Sequence, residues 1–172
     1  MTDTLDTLHE ENKRRPTFLT VLCILTFITT GFNLVAGLFN VVITGRQSEE
    51  AMLEAKVQMA ESVTGLKELG MTSFVDFMEK LERMTVEIND NFYMAAIVSL
   101  ITVAIGLFSA LKMWKGFKVG FHLYIVYNLL AIAGIYLYVS PGNIPSFVVI
   151  VNVILSAIFV FMYSRNLHWM TK

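Results

Sequence analysis

The chain has 172 residues, of which 55% are hydrophobic and 16% are charged. Ordinary soluble domains carry about a quarter charged residues, and the mean hydropathy here is +0.62, which excludes a soluble or a disordered protein. The 13 basic and 14 acidic residues all lie outside four apolar blocks, and the net charge of -1 predicts no attraction to nucleic acid. We therefore expect a small all-α protein of four membrane spans.

The first apolar block, residues 17–44, follows a polar tail over residues 1–16. It holds 28 residues without a charge, more than the roughly 20 that a spanning helix needs. The apolar core of a cleavable signal peptide is only about 7 to 15 residues long. The block therefore predicts an uncleaved first span.

The connection after this span, residues 45–91, predicts a helical hairpin. Ser48 is a suitable N-cap for a first helix, and Gly70 is placed to end that helix in a Schellman motif. Ser73 to Asp76 resembles a capping box for a second helix. That helix either runs directly into the second span or is capped again at residues 89–91.

Apolar residues repeat on one face of each hairpin helix. Thioether groups bind Cu(I), but the methionine spacings favour apolar helix faces, so we expect no metal site here and no cofactor. The connection carries five basic and ten acidic residues. We expect the acidic hairpin to offer its Met and Phe side chains to a partner: Met52, Met59, Phe74, Phe77, Met78, Leu81 and Met84.

Three further apolar blocks predict the remaining spans. A closed barrel is excluded because the blocks lack alternating apolar and polar residues. The predicted segments are span two at 92–111, a loop at 112–118, span three at 119–139, a turn at 140–144, span four at 145–164 and a tail at 165–172.

The distribution of basic residues predicts the orientation. Three basic residues lie at 13–15, and three lysines without any acidic residue lie in the loop at 112–118. Because lysine and arginine accumulate on the cytoplasmic side, both termini should be cytoplasmic and the hairpin should lie outside, with the chain in the cell (inner) membrane.

The spans contain little chemistry. Of Asp, Glu, Lys, Arg and His, only His122, near one end of span three, lies in them, and no catalytic motif is present, so we expect no enzyme. Three amides do lie at depth: Asn33, Asn128 and Asn152. They favour interhelical hydrogen bonds, and a polar site for a small ligand or a water-filled path is the alternative.

Small residues form a stripe along span two. Such a stripe allows another helix backbone to approach closely, and we favour a helix of the same chain over one of a second copy. Its members are Ala95, Ser99, Thr102, Gly106 and Ala110.

The opening of span one, RPTFLTVLCIL over residues 15–25, resembles the start of small four-span membrane proteins of bacteria. The resemblance covers the first span and the general layout. It implies a bacterial inner membrane and no activity.

These features favour an interaction or accessory protein. Its partners would be the lipid bilayer and either another protein or a second copy of the chain. An oligomeric channel or small-solute conduit is the alternative, and it would require several copies to surround a polar path.

Overall fold

The computed structural model describes residues 15–171, which form six α-helices and no strand. The first helix is extended by a π-helical turn at Asn40–Thr44, and the fifth by a 3₁₀ turn at Gly134–Leu137. A further 3₁₀ turn lies at Pro141–Asn143. The helices are α1 at Thr17–Phe39, α2 at Glu49–Glu68, α3 at Thr72–Asp90, α4 at Phe92–Trp114, α5 at Lys118–Ala133 and α6 at Ser146–Ser164.

Four of these helices are long and apolar enough to cross a membrane, which confirms the all-α fold class with four candidate spans. With their extensions they cover Thr17–Thr44, Phe92–Trp114, Lys118–Leu137 and Ser146–Ser164. The bounds agree with the predicted blocks to within three residues, because uninterrupted apolar composition is the main determinant of such helices.

Glycines let the apolar helices approach closely. A Cβ atom on Gly120 of α5 would lie 2.5 Å from the backbone nitrogen of Met113 and 2.8 Å from the carbonyl oxygen of Ser109, both in α4. A Cβ atom on Gly106 of α4 would lie 2.8 Å from the ring of Tyr127 in α5. Backbone contact between α4 and α5 therefore depends on glycine.

The predicted stripe on α4 is only partly buried. Gly106 faces α1 and α5 of the same chain, as expected, and Ala110 is fully buried. Thr102 is buried, Ala95 is half-buried and Ser99 is exposed. The stripe therefore packs tightly only towards the C-terminal end of α4.

The best-packed core lies at the end of the bundle where the lysines of residues 112–118 cluster, which we call the basic end. The segment after α6 folds back there, and Met170 is fully buried. The guanidinium of Arg15 lies 3.7 Å from the ring centre of Trp114, a cation–π contact. The buried cluster consists of Leu19, Leu22, Cys23, Met113, Phe121, Tyr124, Tyr163 and Met170.

Helices α3 and α4 are separated by one residue, Asn91. Its backbone N–H donates to the carbonyl of Glu87 and its carbonyl accepts from Ala95, each at 2.9 Å, so the helical hydrogen bonds continue through the junction. The side chain of Asn91 does not cap α4. It donates instead to the carbonyl of Tyr138, 3.0 Å away after α5.

Candidate functional site

The turn between α2 and α3 is a Schellman motif. The N–H of Met71 donates to the carbonyl of Leu66 at 3.1 Å, and the N–H of Gly70 donates to the carbonyl of Lys67 at 3.0 Å. Gly70 has a φ of 73°, which residues with a side chain adopt rarely. The predicted end of the first helix at Gly70 is confirmed, and α2 and α3 form what we call the helix pair.

The start of α3 differs from the prediction. The helix begins at Thr72 with Met71 as its N-cap, and no side chain caps it. The Schellman turn already fixes Met71, so helical geometry starts immediately afterwards and Ser73 lies inside the first turn. The predicted capping box from Ser73 to Asp76 is therefore wrong, and Asp76 pairs with Lys80 at 3.2 Å.

Most of the side chains expected to contact a partner are buried or half-buried. Met52 is buried, so it cannot offer a contact surface in this conformation. Only Phe74, at 44% exposure, is well exposed. The half-buried members of the set are Met59, Phe77, Met78, Leu81 and Met84.

A different row of apolar side chains is exposed on the helix pair. Leu53 and Val57, one turn apart on α2, are 62% and 51% exposed. Leu69 and Met71 are exposed at the turn, beside Phe74. The sequence signal for this exposed row is that Leu53 and Val57 are spaced i, i+4 and lie off the main apolar stripe of the helix.

Acidic side chains flank this row. At 3.6 residues per turn, Glu50, Glu54 and Glu61 lie on the same side of α2 as Leu53 and Val57, and all five are exposed. The exposed face of α2 is thus an apolar strip with a negative border on one side, and Lys56 is exposed beyond Leu53 on the other side. We call it the α2 face.

Hydrogen bonds fix the base of the helix pair. Arg46, which follows α1, forms an ion pair with Asp90 at 3.1 Å. The N–H of Gln47 donates to the side-chain oxygen of Asn89 at 2.8 Å, and the amide of Asn89 returns a bond of 3.3 Å to the carbonyl of Gln47. The two ends of the helix pair are therefore held together where they join the bundle.

Glu87 links the helix pair to the turn between α5 and α6. Its carboxylate accepts from the backbone N–H of Ser140 at 2.6 Å and from the side-chain amide of Asn143 at 2.8 Å. The hydrogen bond from Ser140 is the main cause of a pKa below the usual glutamate range. Sequence reasoning missed this link because 53 residues separate the partners.

The helix pair also leans over α6. The ring of Phe77 contacts the ring of Phe147 in the first turn of α6, with 6.1 Å between the ring centres. Phe77 lies about 20 Å along α3 from its junction with α4. The contact means that the reach of the pair above the bundle is shorter than the roughly 30 Å length of its helices.

The three asparagines expected at depth do not meet at one point. Asn128 and Asn152 line one cavity of about 400 Å³, whereas Asn33 lines another of about 200 Å³. The amides of Asn128 and Asn152 each donate to the carbonyl four residues earlier in the same helix. That carbonyl is always within reach of a helical asparagine, so the expected interhelical bonds from these two amides are not formed.

A hydroxyl pair makes the polar contact between apolar helices instead. Thr26 of α1 and Tyr163 of α6 are 2.8 Å apart at their side-chain oxygens, and both are buried. The ring of Tyr163 also packs on Tyr124, with 4.6 Å between centres. These contacts attach the C-terminal end of α6 to the bundle, whereas the rest of α6 is mostly exposed.

Within residues 15–171, no group of three or more His, Cys, Asp or Glu side chains is arranged to hold a metal ion. His122 contacts the carbonyl of Lys118 through its Nδ1 atom. Comparison with protein-family models, curated proteins and solved structures finds no match to this chain. The resemblance to small bacterial four-span proteins therefore stays a prediction.

Proposed function

We propose that the protein is a multi-pass membrane protein that presents the helix pair, outside the membrane, to a protein partner. The observation that carries this proposal is an exposed apolar row on a segment fixed to the bundle. Neighbouring exposed apolar side chains that form a patch with a polar rim mark interaction surfaces. Leu53 and Val57 fit that description.

The fixed base supports the same function. An ordered helix presented by a rigid support loses less conformational entropy on binding than a mobile loop does. The contacts of Arg46, Asn89 and Glu87 supply that order. The bundle acts as the platform, with the basic end in the cytoplasm of a cell whose inner membrane it spans.

The charge of the α2 face selects the kind of partner. Glu50, Glu54 and Glu61 border the apolar row, so the partner surface should combine an apolar groove with basic residues at its rim. Electrostatic complementarity of this kind mainly speeds association and weakens with added salt. A partner helix or groove rich in arginine fits best.

Site-specific photo-crosslinking in intact membranes tests the proposal. We expect p-benzoylphenylalanine at Val57 to give one discrete adduct, whereas the matched position Gln58, also exposed but rotated by about 100° around α2, gives little. Replacing Glu54 and Glu61 with glutamine should weaken the Val57 adduct. Equal adducts from both positions, or none from either, would contradict the assignment of the α2 face.

The conduit alternative is separated by a second measurement. Purified protein in which a short flexible linker replaces residues 46–90, like the full chain, should leave liposomes no more permeable to ions than empty ones. Ion flux that persists without the helix pair would favour a channel formed by the apolar helices.

A further inference from the structure

The cavity beside Asn128 lies among three apolar helices, α1, α5 and α6, and encloses about 400 Å³. This volume is within the range of small-molecule sites, about 300 to 1,000 Å³. Leu25 and Thr29 of α1 and Leu155 of α6 line it and are exposed at the surface of the bundle. The cavity therefore opens sideways, towards the space that lipid would fill.

The cavity lies near the middle of the candidate spans. Asn128 is about 15 Å along α5 from Lys118, and Thr29 is about 18 Å along α1 from its start at Thr17. The hydrocarbon core of a bilayer is about 30 Å thick. A molecule entering from the side would reach the cavity from the bilayer interior, without passing through water.

Polar groups without partners line this cavity. In the described part of the chain, neither the hydroxyl of Ser156 nor that of Tyr127 makes a hydrogen bond. Asn152 is exposed there, and its amide donates only to its own helix. Water is scarce at this depth, so unpaired polar groups are costly and gain from a bound molecule that donates or accepts hydrogen bonds.

Aromatic rings define the shape of the expected ligand. Tyr124, Tyr127 and Phe159 line the same cavity, and aromatic faces favour offset stacking against flat rings. The polar groups described above lie beside them. A flat ring that carries carbonyl or hydroxyl groups satisfies both requirements.

We infer that this lateral cavity binds a membrane-soluble molecule with a flat, carbonyl- or hydroxyl-bearing ring and an apolar tail, of which a quinone is the test case. The ring lies among the aromatic side chains, and its oxygens take hydrogen bonds from Ser156 and Asn152. The tail leaves between α1 and α6.

Thermal unfolding of the full chain in dodecyl maltoside, with decylubiquinone as the probe, tests this inference. A ligand that binds only the folded state raises Tm in a saturable manner. We expect decylubiquinone to raise the Tm of the wild type by several degrees. The concentration needed for half-saturation should rise at least tenfold in Asn152→Leu and in Ser156→Ala, and it should not change in Asn33→Leu. Asn33 is the matched control because it lines the other cavity.

Thermal unfolding of each variant without the probe first shows whether that variant is folded. Because Ser156→Ala removes only a single oxygen, this variant keeps the test valid if Asn152→Leu does not fold. A Tm that does not saturate with decylubiquinone, or an equal shift in the Asn33 and Asn152 variants, would overturn the inference. A wild-type dimer that Asn152→Leu converts to a monomer would also overturn it, because a second copy would then fill the cavity.

Discussion

Replacing Gly120 with alanine is the most direct perturbation of the α4 and α5 contact. The new Cβ atom would lie 2.5 Å from the backbone nitrogen of Met113 and 2.8 Å from the carbonyl oxygen of Ser109. Carbon atoms normally stay about 3.5 to 4.0 Å from their neighbours. Backbone atoms cannot rotate away, so α5 must move by about 1 Å from α4.

The magnitude follows from two opposing effects. Overpacking of a close contact costs about 1 to 3 kcal/mol, whereas alanine stabilises a helix by up to about 1 kcal/mol relative to glycine. We therefore expect Gly120→Ala to lose about 1 kcal/mol net, and Gly106→Ala to lose less, because its closest neighbour is the ring of Tyr127. Gly31→Ala should be neutral or stabilising, since nothing lies within 4 Å of its Cβ position.

The assay is thermal unfolding of the three variants in one detergent. In domains of this size, 1 kcal/mol corresponds to about 2 to 4 °C in Tm. From the highest Tm to the lowest, the expected order is Gly31→Ala, Gly106→Ala and Gly120→Ala. A Gly120→Ala variant as stable as the Gly31→Ala control would refute the close backbone approach of the two helices.

Two further predictions concern single polar contacts. Thr26→Val should lower stability by about 1 kcal/mol, because the hydrogen bond to Tyr163 is lost. The hydroxyl of Thr29 bonds only to its own helix, so the control Thr29→Val should change the Tm less. Equal Tm shifts in the two variants would contradict the interhelical role of Thr26. Because the folded-state pKa of Glu87 is lowered, its contribution is full above the unfolded value of about 4.3 and is lost as the pH falls through the folded value. As the pH is lowered from about 4.3, the Tm of the wild type should therefore fall more steeply than the Tm of Glu87→Gln. Parallel pH profiles of the two proteins would exclude the link to Ser140.

The parts of the fold that sequence predicts are those set by local composition. Apolar blocks longer than about 20 residues determine where the four long helices lie. The cap at Ser48, which accepts from the N–H of Ala51 at 3.2 Å, and the stop at Gly70 also depend only on residues a few positions away.

The parts that sequence did not predict depend on pairs far apart in the chain. Gly120 contacts α4 through backbone atoms, which no side-chain pattern reveals. In the sequence, Glu87 is one of ten acidic residues of the connection, and nothing in it indicates the partners that Glu87 has after α5. Leu53 and Val57 lie off the buried stripe in the sequence, but their exposure depends on how α2 packs on α3.

The side of the membrane on which the helix pair lies is the central claim, and cysteine labelling measures it. In a Cys23→Ser background, single cysteines at Ser62 in α2 and at Lys115 between α4 and α5 are both at exposed positions. An impermeant maleimide added to intact cells should label position 62 and reach position 115 only after the cells are lysed. Labelling of position 115, and not of position 62, in intact cells would place the helix pair in the cytoplasm and contradict the proposed presentation to an outside partner.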